Sequence, residues 1–176
     1  MSASALIVRI PEAEGLVGDL RERHDASARL GVPAHVTLVY PFVENERIDA
    51  ALLAHVASAL EGVAAFDFVL ARAGRFAATA YLAPEPAPPF IALIERLVGA
   101  FPAFPPFGGQ FAAIVPHITA AHGNPADAAL AHRELTQQLA AQGPVRARCR
   151  EVTLMEQVDG RWRARQAFAL AEPTIS

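Results

Sequence analysis

At 176 residues and 53% hydrophobic side chains, the chain can bury one sizeable core, as a single domain or as two small lobes that share it. A net charge of −3 excludes a protein built to hold long nucleic acid by counterion release, and no window carries the roughly 18 uninterrupted apolar residues of a membrane span. One cysteine, Cys149, excludes an internal disulfide and a cysteine-based zinc cluster; with no basic segment and only a short apolar run in MSASALIVRI, this sets the expectation of a cytoplasmic protein.

In chain order, residues 5–10 (ALIVRI) read as a strand and 14–24 (EGLVGDLRERH) as a helix that turns Leu16, Val17 and Leu20 inward. HVTLVY (35–40) is a β-branched strand. In 47–60, Ile48, Leu52, Val56 and Leu60 recur every four residues, which predicts a helix. FDFVLA (66–71) and TAYLA (79–83) are strands, the second closed by the turn PEPAPP. A helix follows over 90–101, then a Pro/Gly-rich loop over 101–111. Within that loop PFGGQF (106–111) is either a lid or an ordinary connection, since Gly108 and Gly109 allow unusual backbone angles. HITAA (117–121) is a strand. Residues 124–141 form a helix with Asn124 as N-cap and Pro125 at the first helical position, where its missing N–H costs nothing. VRARCREVTLMEQV (145–158) and RWRARQAFAL (161–170) read as strands, with Asp159-Gly160 marking a tight hairpin.

The order repeats. Strand, helix, strand with His-x-Thr, helix, strand runs once from the N-terminus and again from Tyr81, and "VPAHVTLVYPF" echoes in "IVPHITAAHGN". The repeat predicts an α+β, duplicated bilobal fold. Its lobes, approximately 1–78 and 79–176 with possible exchange of strands, are related by a pseudo-two-fold axis.

In a strand, residues i and i+2 share a face, so His35 projects with Thr37 and His117 with Thr119. A lone histidine in a strand is more commonly a hydrogen-bonded structural residue. Two His-x-Thr matches at equivalent places of a repeat point to a shared role. Histidine titrates near neutral pH, so one imidazole can accept a proton while the other donates one, each transfer typically contributing about 10²–10⁴-fold in rate. The hydroxyls add donors for non-bridging phosphate oxygens. The set suits displacement at a phosphodiester, and no carboxylate or third histidine stands at metal-ligand spacing, so no cofactor is expected.

HVTL and HITA, about eighty residues apart in a duplicated chain of this size, resemble the two-histidine (2H) phosphoesterase superfamily, and within it the bacterial 2′-5′ RNA ligase/cyclic phosphodiesterase (LigT-like) branch. The resemblance implies antiparallel sheets lining a central cleft with helices outside, and metal-independent opening of 2′,3′-cyclic phosphates of nucleotides or RNA ends to a 2′-phosphate, or 2′-5′ joining of RNA ends as the reverse kind of transfer. It implies His35 and His117 as the acid/base pair and Thr37 and Thr119 as phosphate-binding residues. The alternatives are another cyclic phosphate as substrate, or a non-catalytic module that binds nucleotides or RNA ends. The expected partner is a small cyclic nucleotide or RNA-end phosphate held by a monomer, with no membrane and no long duplex nucleic acid.

Phe76, Phe107 and Trp162 are candidates for stacking a base. Arg146, Arg148, Arg150, Arg161, Arg163 and Arg165 form a basic cluster in sequence, read as a solvated sheet face or as a source of phosphate contacts. By strict alternation Tyr40 points away from His35, and His122 lies on the opposite strand face from His117. His24, His55 and His132 fall on or near helices, in surface or capping positions.

Overall fold

The computed structural model describes residues 2–105 and 114–173. Within them, eight strands form one sheet: β1 (Ser4–Arg9), β2 (His35–Val39), β3 (Phe66–Phe76), β4 (Thr79–Glu85), β5 (Ile118–His122), β6 (Val145–Cys149), β7 (Glu151–Val158) and β8 (Arg161–Ala169). The α-helices are α1 (Glu14–His24), α2 (Ala26–Arg29), α3 (Ala50–Ala59), α4 (Pro88–Ala100) and α5 (Pro125–Gln142). The predicted α+β class is present. The stretch 145–158, expected to be extended throughout, is broken at Arg150 into β6 and β7, which join different parts of the sheet; the other differences lie at element ends. Helix α3 starts at Ala50 because Asp49 caps it, its carboxylate accepting the Leu52 N–H at 2.8 Å. The short α2, capped by Asp25, has too few residues to show a period.

The strand order is β6-β3-β4-β5-β2-β1-β7-β8, and every ladder between neighbours is antiparallel. The repeat is visible in it. β2 and β5, the two His-x-Thr strands, are central neighbours, flanked by β1 and β4. Outside β4 lies β3, from earlier in the chain; outside β1 lies β7, from later. Each half of the sheet is thus completed by a strand from the other half of the chain. Helices cross over in the same way, α1 packing on β5 and α4 on β2. β6 and β7 are consecutive in sequence but stand near opposite ends of the sheet, and Arg150 is the point of departure.

Alternation along the strands sets two faces. One carries Leu6, Val8, Val36, Leu38, Leu82, Ile118 and Leu154, all buried in the main core against the helices. Phe66 and Phe68 of β3 meet Phe90 of α4 edge-on, each at 5.0 Å, which anchors that helix. The opposite face carries Ile7, His35, Thr37, Tyr81 and Thr119.

Candidate active site

Val36 pairs with Ile118 where β2 meets β5. Carrying that antiparallel register one residue either way sets His35 across from Thr119 and Thr37 across from His117, all on the face away from the helices. Cross-strand diagonals in such a ladder are about 7–8 Å apart, which leaves room for one phosphate between the imidazoles. On that register His35, the first residue of β2, and His117, the residue that leads into β5, stand diagonally across the junction of the two strands.

Both imidazoles are oriented alike. Nδ1–H of His35 donates to the Pro33 carbonyl at 2.7 Å, and Nδ1–H of His117 donates to the Val115 carbonyl at 2.7 Å. Each bond reaches back two residues, and each fixes the tautomer with the lone pair on Nε2. The prolines ahead of the motifs, Pro33 and Pro116, are the sequence signal for this local geometry. Burial pushes the His35 imidazole down to about 4 against the lift from the Pro33 carbonyl; the nearby Arg21 guanidinium lowers it further, Asp25 raises it, and His117 lowers it. Burial also lowers His117, opposed by the Val115 carbonyl, and His122 adds to the lowering. Both rings are thus neutral at pH 7 in the free protein, ready to gain a proton when an anion binds.

The two flanks of the site differ. Beside His35 lies a cavity of about 330 Å³ lined by Ile7, Thr37, Tyr40, Met155 and Trp162 among others. Beside His117 stand aromatic rings: Phe76 meets it edge-on at 5.3 Å and Tyr81 lies 5.5 Å away. Registers identify the counterparts, since Ile7 pairs with Thr37 as Tyr81 pairs with Thr119. Tyr81 fits because its cross-strand partner is Gly74, where a Cβ would stand 2.3 Å from the ring.

Of the stacking candidates, Phe76 is beside His117, Trp162 is in the cavity beside His35, and Phe107 lies outside the described residues. The candidate lid 106–111 also lies outside them. Two orientations differ from strict alternation, and one cause explains both. The β1–β2 register steps from Leu6↔Val39 to Ile7↔Thr37, and the β4–β5 register from Ala80↔Ala121 to Tyr81↔Thr119. Leu38 and Ala120 are therefore bulged residues, and a bulge re-aims everything beyond it. Leu38 and Val39 both enter the core, as do Ala120 and Ala121. Tyr40 then turns to the site face and lines the cavity with His35. His122 likewise turns to the site face, hydrogen-bonded at 2.8 Å to the hydroxyl of Thr79, which shares a strand face with Tyr81.

The arginine cluster does not gather. Arg146 and Arg148 lie on β6 and Arg161, Arg163 and Arg165 on β8, the opposite edge strands of the sheet. Arg148 pairs with Asp67 and Glu172, and Arg163 with Glu156. Among the described residues, no three His, Cys, Asp or Glu side chains are grouped to hold a metal ion, and no helix is long and apolar enough to cross a membrane.

This α+β architecture is shared by solved structures of LigT and of a Thermus thermophilus protein. Escherichia coli LigT complexed with NADP+ superimposes with a TM-score of 0.57 at 19% identity, covering 97% of this chain and 98% of that one. LigT complexed with 3′-AMP gives 0.56 at 18%, covering 97% and 99%. TT0787 of Thermus thermophilus gives 0.61 at 18%, covering 98% and 100%. At such identities the likeness is one of fold. No curated protein matches the chain significantly. The sequence over residues 10–161 does match the 2′-5′ RNA ligase superfamily, and the chain belongs to that superfamily of two-histidine phosphoesterases. Family and fold together support an enzyme.

Proposed function

We propose that the protein opens 2′,3′-cyclic phosphates of nucleotides or RNA ends, with His35 and His117 as the acid/base pair. The observation that carries this reading is the matched pair of Nδ1-anchored imidazoles, each next to the residue through which β2 and β5 pair, Val36 with Ile118. Water attacks phosphorus and one imidazole Nε2 takes its proton. The P–O bond to the ribose 3′ oxygen breaks, and the other imidazole, as imidazolium, protonates that oxygen. The product is a 2′-phosphate, and each imidazole ends with the other's starting protonation state. Thr37 and Thr119 donate to the non-bridging oxygens. No step is assigned to a metal.

The test is incubation with 2′,3′-cyclic AMP and UMP in excess EDTA, products separated by chromatography. A 2′-phosphate product with chelator present is the expected result. Loss of turnover on chelation would overturn the two-imidazole mechanism, and tight binding without turnover of any cyclic phosphate would make the protein a binding module. The superfamily's description favours one further reaction. In it the 5′ hydroxyl of a second RNA end takes the place of water, the P–O bond to the ribose 3′ oxygen breaks as before, and the phosphorus kept on the 2′ oxygen joins the two ends by a 2′-5′ bond. Its product would appear only when RNA ends are supplied.

A further inference from the structure

The two imidazoles are anchored alike, but the peptide groups that anchor them differ. His35 donates from Nδ1 to the Pro33 carbonyl, which belongs to the Pro33–Ala34 peptide. The N–H of that same peptide, on Ala34, donates to Oε1 of Glu14 at 2.7 Å. In a trans peptide the N–H and C=O point opposite ways and share one delocalised system. Carboxylate, peptide and imidazole therefore form one chain of hydrogen bonds, with Glu14 at the outer end and the imidazole at the inner end. His117 donates to the carbonyl of the Val115–Pro116 peptide. Proline has no N–H, so that peptide cannot hold a carboxylate on its far side.

The fold puts Glu14 in place for this. It is the first residue of α1, where a negative charge suits the helix N-terminus. Its second oxygen lies over Gly18, one turn on, where a Cβ would stand 3.3 Å from it. Ala34 is held from its other side too, its carbonyl accepting from the Ile10 N–H at 2.8 Å. Because Ala34 is buried, its N–H depends on a protein acceptor. A charged acceptor also polarises the bonds behind it: it makes the Pro33 carbonyl a stronger acceptor, and a stronger acceptor favours the protonated ring. The other charged and titratable groups here are Arg21 and Glu22, which share a surface hollow with Glu14, Asp25 and His117, which face the imidazole with Arg21, and Arg9, which pairs with His35 on the β1–β2 ladder and is bridged to Glu151.

We infer that Glu14 is a positioning residue for His35: through the Pro33–Ala34 peptide it fixes the imidazole and supports its protonated form, and the Val115–Pro116 peptide cannot do the same for His117. This rests on the acid/base reading of His35, but the chain of bonds can be observed without turnover.

The experiment follows the Nδ1–H signals of both imidazoles by NMR in nitrogen-labelled protein at neutral pH, assigned with His35→Ala and His117→Ala. Glu14→Gln keeps an acceptor and removes the charge; Glu14→Ala removes both. The His35 signal should move upfield in Glu14→Gln, and move further or be lost to exchange with water in Glu14→Ala, while the His117 signal stays in place. With 2′,3′-cyclic AMP as substrate, kcat should fall about tenfold in Glu14→Ala, the equivalent of one hydrogen bond, and Glu14→Gln should recover most of it. KM should change by less than about twofold, since the substrate does not touch Glu14. An unmoved His35 signal in both variants, or equal movement at His35 and His117, would overturn the assignment, as would a raised KM with kcat unchanged. If Glu14→Ala fails to fold, Glu14→Gln carries both readouts. A shift confined to His35 in a protein that turns over no cyclic phosphate would uphold the chain of bonds and sink the phosphodiesterase reading, so the two failures are distinguishable.

Discussion

The two His-x-Thr strands are near copies in what they do to the backbone and unlike in what surrounds them. Both bond the imidazole Nδ1 to a carbonyl two residues back, both carry a bulge after the threonine, and both turn the residue beyond the bulge onto the site face. Yet His35 borders an open, largely apolar cavity with Tyr40 at the bulge exit, while His117 is walled by Phe76 and Tyr81 and has His122 at the equivalent exit. Main-chain geometry has kept the reacting groups equivalent. Beyond the bulge exits, three side-chain places on the flanking strands differ: Ile7 against Tyr81, Thr153 against Gly74 and Met155 against Phe76, matched by their ladder positions. A symmetric pair of imidazoles suits a phosphate that needs a proton acceptor on one side and a donor on the other. Asymmetric flanks then determine which way round a substrate with one bulky end is held.

The strongest test of the equivalence is removal of each imidazole. His35→Ala and His117→Ala should each lower kcat/KM by about 10²-fold or more, since each deletes one proton transfer. The double variant should be little worse than either single one, because the pair acts as a unit. Circular dichroism and melting should show a folded protein in every case. Near-normal turnover by either single variant would break the equivalence and the mechanism together.

A smaller loss comes from the hydroxyls. Thr37→Val and Thr119→Val each remove one donor to a charged phosphate oxygen, a loss of about 1–3 kcal/mol in transition-state binding. Equal losses would extend the symmetry to the phosphate cradle. A loss confined to one of them would show that the phosphate leans toward that half.

Much of this arrangement is legible in the chain itself. The repeat of element order and the two His-x-Thr motifs carry the fold class and the family, because period-2 and period-4 patterns and a doubled rare motif survive in a single sequence. What is not legible depends on register. Strict alternation sends Tyr40 and His122 away from the site, and only the paired strands reveal the extra residue, Leu38 or Ala120, that brings them back. The arginines of 145–165 look like one patch because β6 and β7 are consecutive in sequence; the exchange of strands sends them to opposite edges. Gly74 is a readable sign, since a glycine inside a strand often marks a close approach, but Tyr81 as the approaching ring is a cross-strand fact.

Burial makes the pH dependence differ from that of solvent-exposed imidazoles. Both rings titrate below the ordinary value of 6.5, His35 at about 4. The productive free protein carries one proton on the pair, a form most populated between the two lowered values. The bell of kcat/KM, which reports the free enzyme, should therefore peak below pH 6.5, and the bell of kcat should lie higher, because a bound phosphodiester anion favours the imidazolium. Stability follows with a definite sign. Between about 4 and 6.5 the unfolded chain binds a proton at residue 35 that the folded protein does not, so stability is full above that window and falls as pH drops through it. In a pH series of Tm, His35→Gln should flatten this slope. An unchanged slope would show that the imidazole is solvated like a free one.

The finest distinction between the halves is at the bulge exits. His122, exposed and bonded to Thr79, lowers the His117 imidazole, whereas the equivalent residue beside His35 is Tyr40, a phenol. A positive His122 disfavours a second positive charge on His117, so removing it should raise the His117 value and leave His35 where it is. His122→Gln keeps a hydrogen-bonding side chain at the position and deletes the charge. Its effect on kcat/KM at pH 7 should be at most about fivefold, the span of an exposed charge interaction. The informative readout is an NMR titration of the imidazole Cε1–H signals. An upward move of His117 alone is the expected pattern. Equal movement of both imidazoles would mean that His122 acts on the shared phosphate position rather than on its own half, and no movement would reduce it to a surface residue held by Thr79.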